Sequence, residues 1–442
     1  MPWYKDKIFW YLLGFCAFFK ALAVTFIYLY NPLGEHVLIF PDSLSYIYPA
    51  QTWLTYGQFW EAVSATPLIL RTPGYPVFLA VIQLITGNST WAVAILQNIL
   101  SLGLLIPVYL TTREISNLRA ARWSAIFCAG SVLYFSLSFA VLTEILCTFL
   151  LAWFVFFLVK FLKCYSARWL VASACVLAAA IYVRPAAYYL APAVFVFVII
   201  TCKTYWKQIV LCFFLPLFFL LGSWHLRNYL STGFPGFSTV NAYNLYFWNE
   251  DLVAQKLSLS IPQAHNYLQN ALPENFGSYR TTEQVKTYRA LATPWLRVGW
   301  FYKLLHAPRW AAKTLLGTNF LHTSRLLTGK PANEQEMAFH SLNQTQFLHT
   351  RYLQTVGTKI ILILSCLQVW GTVLLGIIGS WLLRKQHKMI AYFLAGYCIY
   401  FWAIGSVFFG AYARFRAPFE FVLCILAAPA FTAVLHRLQP HR

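Results

Sequence analysis

The chain has 442 residues, 60% hydrophobic and only 10% charged, and its 33 Lys and Arg against 13 Asp and Glu leave a net charge of +20. A mean hydropathy of +0.59 and a charged fraction far below the roughly 25% of soluble domains exclude a single soluble core. The positive excess does not point to nucleic acid, because the basic residues fall in short clusters between apolar runs, where they set orientation in a membrane.

Taken in chain order, the first apolar stretch covers 8–30 behind Lys5 and Lys7. It is longer than a signal-peptide h-region and lacks a clean small-residue cleavage site, so it reads as a retained anchor. Further spans are predicted over 91–110, 121–141, 144–162, 168–183, 187–202, 207–224, 358–383, 389–409 and 416–436, each near the length that crosses ~30 Å of hydrocarbon. Gly74 to Gly87 is short for a span and reads as interfacial or re-entrant. With that segment left out and the N-terminus inside, every short basic cluster falls on one side: Lys5 and Lys7, Arg113 to Arg122, Lys160 to Arg168, Lys203 and Lys207, Arg384 to Lys388, and Arg437 with Arg442. The expectation is an all-α polytopic membrane protein of about ten transmembrane helices with both termini inside. Its regions are an N-terminal transmembrane core, 1–224, with a first outer loop at 31–90; an extracytoplasmic loop, 225–357; and C-terminal helices, 358–442.

None of the ten cysteines lies in the two long outer loops, so no disulfide framework is expected. Within the large loop, the run Leu291 to Leu316, with Trp295, Trp300, Tyr302, Trp310 and Lys313, reads as amphipathic helix lying on the membrane or capping a cavity. The sequons at Asn88 and Asn343 face outward, where they matter only in a eukaryotic secretory compartment. There is no Walker A loop, dinucleotide fingerprint, His-Glu-x-x-His or zinc-spaced cysteine pair. Without an Asp-x-Asp, a nucleotide-sugar donor held through a metal has no support either.

Acids are scarce, and two stand beside apolar helices on the predicted outer face: Asp42 in Pro41-Asp42-Ser43 and Glu144 in Thr143-Glu144-Ile145. Such acids are costly near hydrocarbon, although Asp42 also fits a helix N-cap and Glu144 the positive end of a helix dipole. Arg71, Arg184, Arg227, Arg414 and Arg416 lie on the same side, against the inside-positive bias. Guanidinium forks match phosphate oxygens bidentately, so together they point to an anion site, with snorkelling to headgroups as the bland alternative for any single one.

These features, Pro41-Asp42-Ser43 with Tyr46, Arg71-Thr-Pro-Gly-Tyr-Pro76, Thr143-Glu144, Arg184-Pro185, Trp224-His-Leu-Arg-Asn-Tyr229 and Arg414-Phe-Arg-Ala-Pro418, resemble the GT-C type membrane glycosyltransferases. The likeness is to the bacterial relatives of protein O-mannosyltransferases and of the aminoarabinose transferase. The chain departs from the Asp-Glu pair of the mannosyltransferases by having Ser43. The resemblance implies juxtamembrane helices in the first outer loop and transfer, with inversion, of a hexosyl or pentosyl group from a polyprenyl-phosphate donor to an extracytoplasmic protein, lipid or glycan. Asp42 would be general base, and Glu144 a second catalytic acid that positions the acceptor, shares a proton or helps bind a divalent cation. Arg71, Arg184, Arg227 and Arg414 would hold the donor phosphate, and Tyr46, Tyr75 and Asn228 would touch substrate. No cofactor is required, and a divalent cation on Asp42 and Glu144 is left open. The expected setting is the bacterial inner membrane with the site on its periplasmic face. A transporter or flippase of an anionic lipid-linked sugar, an oligosaccharide polymerase or ligase, and a non-catalytic assembly subunit remain the alternatives.

Overall fold

The computed structural model describes residues 2–61, 66–329, 356–407 and 412–438. Among them every element is helical, apart from one bridge between Trp60 and Pro67, as befits backbone that must satisfy itself in lipid. Helix α1 (Lys7–Tyr30) starts at Asp6, whose carboxylate accepts the Ile8 amide hydrogen. In the first outer loop come α2 (Leu44–Tyr56) and α3 (Gly74–Thr86). With 13 residues, α3 reaches about 20 Å, too little to cross.

Helices α4 (Thr90–Gly103) and α5 (Leu105–Ile115) run on as one apolar stretch, followed by α6 (Leu118–Ala129), α7 (Val132–Leu137), α8 (Glu144–Cys164), α9 (Ala167–Val183) and α10 (Leu190–Thr201). A short α11 (Trp206–Ile209) passes through a π-helical turn, Val210–Phe214, into α12 (Leu215–Thr232). The large loop is helical where described: α13 (Val240–Phe247), α14 (Glu250–Leu257), α15 (Ile261–Asn270), the 36-residue α16 (Thr281–Leu316) and α17 (Phe320–Thr328). Then come α18 (Val356–Gln386), α19 (Lys388–Val407) and α20 (Ala417–Leu438).

Among the described residues seven stretches are long and apolar enough to cross a membrane: α1, α4 with α5, α8, α11 with α12, α18, α19 and α20. Helices α9 and α10 are apolar but shorter. The span expected over 121–141 is not one helix. The chain leaves α6 at Gly130, Ser131 caps α7 by accepting the Tyr134 amide hydrogen, and residues 138–143 turn back toward α8. Residues 330–355, which include the Asn343 sequon, and the end of the span expected over 389–409 lie outside the described residues.

Helices α8 and α20 form the centre, with 67% and 72% of their apolar windows buried, whereas α1 has 6% and is peripheral. Polar ties compensate for its thin packing. Asp6 accepts from Arg122 through both oxygens and from Tyr109, and mid-helix Lys20 donates to Asn98 Oδ1 (3.0 Å) and Ser138 Oγ (3.2 Å). An ammonium at that depth needs such partners. Elsewhere small residues let helices touch: a Cβ on Gly74 would come within 2.6 Å of the Tyr182 carbonyl in α9.

Backbone docking brings the two sequence-distant acids together. The Val141 amide donates to Leu38 O (2.9 Å), and the Ser43 hydroxyl donates to Val141 O (2.8 Å) while accepting from Phe40 N (2.9 Å). The loop carrying Asp42 is thereby stitched to the turn that precedes Glu144. Tyr134 OH adds the third strand of chain, donating to Ala417 O and accepting from Phe421 N at the start of α20.

Candidate active site

Asp42 lies in the turn ahead of α2, but its side chain does not cap that helix, whose N-cap is Ser43 without a side-chain cap bond. The carboxylate is instead shared between two guanidiniums: Oδ1 lies 3.0 Å from Arg71 Nη2 and Oδ2 lies 3.1 Å from Arg414 Nη2. Glu144, 3% exposed, pairs with Arg184 Nη1 at 2.8 Å, and Arg414 Nε approaches the same oxygen to 4.0 Å. Arg414 is thus the bridge between the acids. Arg184 also donates to Thr143 Oγ1 (3.1 Å), and Arg71 Nε donates to Ser45 Oγ (3.0 Å).

Aromatic rings flank these cations. Arg71 stacks over Tyr46 at 4.8 Å, and Arg414 lies 5.5 Å from both the Tyr412 and Phe415 rings. Three guanidiniums against two carboxylates leave one net positive charge, the complement of a bound anion. Burial alone would raise the Asp42 carboxyl, but Arg414 and Arg71 overcome it and hold Asp42 below the usual carboxylate range.

All five charged groups line one cavity of about 1020 Å³. Its far wall comes from the large loop, through Tyr243, Trp248, Glu250, Asp251, Trp310 and Lys313. There Glu250 meets His265 Nδ1 at 2.7 Å. Burial raises Glu250 and Asp251, opposed by His265 and Lys313 respectively. Burial also lowers Lys313 to about 8. The run Leu291 to Leu316 therefore caps the cavity with one face, while Val298, Trp300, Phe301, Leu304 and Leu305 remain exposed on the other.

A divalent cation shared by Asp42 and Glu144 does not fit this arrangement, because both carboxylates already hold guanidiniums and Arg414 lies between them. Among the described residues no group of three His, Cys, Asp or Glu is gathered as a metal cage.

Of the residues expected at the site, Asp42, Tyr46, Arg71, Glu144, Arg184 and Arg414 line the cavity; Tyr75, Arg227 and Asn228 do not. Tyr75 is fully buried behind Tyr46, edge to face at 5.3 Å, and donates to Gln97 Oε1. Asn228 is buried and donates to Gly236 O and Phe237 O. Arg227 donates to Leu68 O and Asn228 Oδ1. Because α12 continues to Thr232, Asn228 faces the following loop and Arg227 the Leu68 carbonyl of the first outer loop, instead of the acids. Arg416, also read as an outward arginine, is 1% exposed and pairs with Glu420 at 2.7 Å.

Sequence reasoning overlooked Glu61, whose Oε1 accepts from Ile69 N (2.6 Å) and Leu70 N (2.7 Å) and so anchors the segment leading into Arg71. A lone acid ten residues ahead of the Arg71-Thr-Pro-Gly turn was the available signal.

The fold is that of the GT-C membrane glycosyltransferases. Residues 70–224, about a third of the chain, match the family described as dolichyl-phosphate-mannose-protein mannosyltransferase; that segment contains Arg71, Glu144 and Arg184. The resemblance drawn from the motifs therefore holds for the fold, and for the family over residues 70–224. The Archaeoglobus fulgidus oligosaccharyltransferase aligns over 99% of this chain and 52% of its own, with TM-score 0.54 and 16% identity. The same archaeal enzyme, AglB, in complex with an inhibitory peptide and a dolichol-phosphate aligns over 99% and 51%, with TM-score 0.53 and 14% identity. The chain thus spans about half the length of these structures. ArnT from Cupriavidus metallidurans bound to undecaprenyl phosphate aligns over 95% and 78%, with TM-score 0.43 and 14% identity. A comparison with curated proteins gives no match.

Proposed function

We propose that the protein transfers a sugar from a polyprenyl-phosphate donor to an acceptor on the extracytoplasmic face of a bacterial inner membrane, with inversion and with Asp42 as general base. The observation that carries this reading is Arg414 joining Asp42 and Glu144 in a cavity with net positive charge. A dolichol-phosphate in the archaeal enzyme of the same fold supports a lipid-phosphate donor.

The donor phosphate takes over guanidinium hydrogen bonds of Arg71, Arg184 and Arg414, which releases Asp42 from its two ion pairs. The acceptor hydroxyl or amine passes its proton to Asp42 as its heteroatom bonds to the anomeric carbon. The bond from that carbon to the phosphate oxygen breaks, and the electron pair leaves on polyprenyl phosphate. The arginines stabilise that growing charge from fixed positions. Glu144 keeps Arg184 and Arg414 in place, a positioning role.

The test is single-turnover transfer from a labelled polyprenyl-phosphate sugar by protein in nanodiscs. Asp42→Asn is expected to lose about 10²- to 10⁴-fold in rate with donor binding retained. Turnover like wild type in the folded variant removes Asp42 from the base role.

A further inference from the structure

Beside the main cavity lies a second one of about 210 Å³, which shares Pro185, Tyr189, Asn241 and Arg289 with it. It begins one residue past Arg184, the partner of Glu144. Tyr188, His225 and Phe237 close it, with ring centroids 5.2 to 5.8 Å apart. Tyr189 stands at 88° to Tyr188 and makes an aromatic corner.

Hydrogen-bond directions inside it are constrained. The Pro235 carbonyl can only accept, so His225 Nδ1 carries the proton of their 2.6 Å bond. In the neutral imidazole Nε2 is then the acceptor, and Tyr188 OH donates to it at 3.0 Å. The Tyr188 oxygen keeps its lone pairs for an incoming O–H. The wall itself is preorganised: Trp224 and Asn228 donate to Phe237 O, Ser238 donates to Leu70 O, and the Thr239 amide donates to Ile69 O. The mechanism uses none of these groups.

Flat ring faces, a small set of hydrogen-bonding groups, and space for about seven waters at ≈ 30 Å³ each fit a single sugar ring, its C–H face on the aromatics and its hydroxyls on Tyr188, Asn241 and Arg289. A polyprenyl chain fits poorly, because it offers nothing to those polar groups. We infer that this side pocket is a saccharide subsite holding one pyranose ring of the acceptor, so that the acceptor is a glycan or glycolipid and not a peptide. Assigning that ring to the acceptor rests on the transferase reading; the pocket's affinity for a sugar does not.

The experiment is a saturation-transfer NMR titration of the full chain in nanodiscs, free of glycoside detergent, with a panel of methyl pyranosides. At least one is expected to bind wild type, with affinity about fivefold to tenfold weaker in Tyr188→Phe and in Asn241→Ala, the loss of one hydrogen bond, and unchanged in Asp42→Asn. Asn241 is exposed at the mouth, so its variant folds even if Tyr188→Phe does not. No pyranoside bound, or binding that falls with Asp42→Asn and not with the pocket variants, overturns the subsite, as does a photoreactive polyprenyl phosphate that labels residues 234–237. Sugar binding retained in a protein without transferase activity keeps the subsite and removes the transferase reading. Transfer to a sugar-free peptide, unaffected by Tyr188→Phe, overturns the acceptor assignment.

Discussion

Arg414 is the residue on which the site's electrostatics turn, since it serves both carboxylates while Arg71 and Arg184 each serve one. It is also a cause of Asp42 lying below the usual carboxylate range. For a carboxyl depressed in this way, the ionised form stabilises the fold above the unfolded value near 3.8, and that contribution fades as pH falls through the folded value. Replacing Arg414 by Gln raises Asp42. The acid limb of the kcat/KM profile is then expected to move to higher pH, and the acid side of the thermal-stability profile with it. An unmoved acid limb in a variant that still turns over means that Asp42 is not the group titrating in catalysis. That Asp42, Glu144, Arg71, Arg184 and Arg414 fall on one side was legible from chemistry and sidedness alone; that they line one cavity was not. Tyr75, Arg227 and Asn228 lie outside that cavity, because local motif order does not say which face of a helix a side chain takes.

At the scale of elements, a buried ion pair controls where Arg414 stands. Arg416 and Glu420 are 1% and 2% exposed in their side chains, and Arg416 Nη1 donates to the carbonyls of Thr314, Leu315 and Gly317. It thereby caps the C-terminal end of α16, where a cation also suits the helix dipole. Ser131 donates to Glu420 from the break between α6 and α7. Three elements meet two residues from Arg414. Removing one partner strands the other, so Glu420→Leu is expected to cost about 3–5 kcal/mol, and the double variant Arg416→Met with Glu420→Leu less than Glu420→Leu alone. Unfolding midpoints in detergent measure both; equal losses would mean that leaving Arg416 unpaired carries no penalty of its own. The break at Gly130 and Ser131 escaped the apolar pattern, because hydropathy across 121–141 is uniform and the interruption comes from a serine cap.

Across the whole molecule, α8 separates two charged ends. Its 21 residues, about 30 Å, run from Glu144 to Cys164. At the far end Glu114 pairs with Lys160 and Lys163 at 3.0 and 3.3 Å. That end carries the basic clusters assigned to the cytoplasm, and the site end carries the helical loop. An impermeant maleimide added to intact cells is expected to label Gln269→Cys, on exposed α15, and to reach native Cys164, also exposed, only after permeabilisation. The reverse pattern would place the cavity in the cytosol and exclude an extracytoplasmic donor.

Composition, apolar run length and the asymmetry of Lys and Arg sufficed for a helical membrane protein, and for an expectation that Asp42 and Glu144 stand on the side away from the basic clusters. These are properties of segments, and lipid rewards them segment by segment. Tertiary structure alone decided that Asp42 shares a guanidinium with Glu144, that Arg416 braces a helix end, and that Asn228 holds the wall of a side pocket. Those outcomes depend on close approach between residues far apart in the chain, through bonds such as Ser43 to Val141, and no local pattern encodes them.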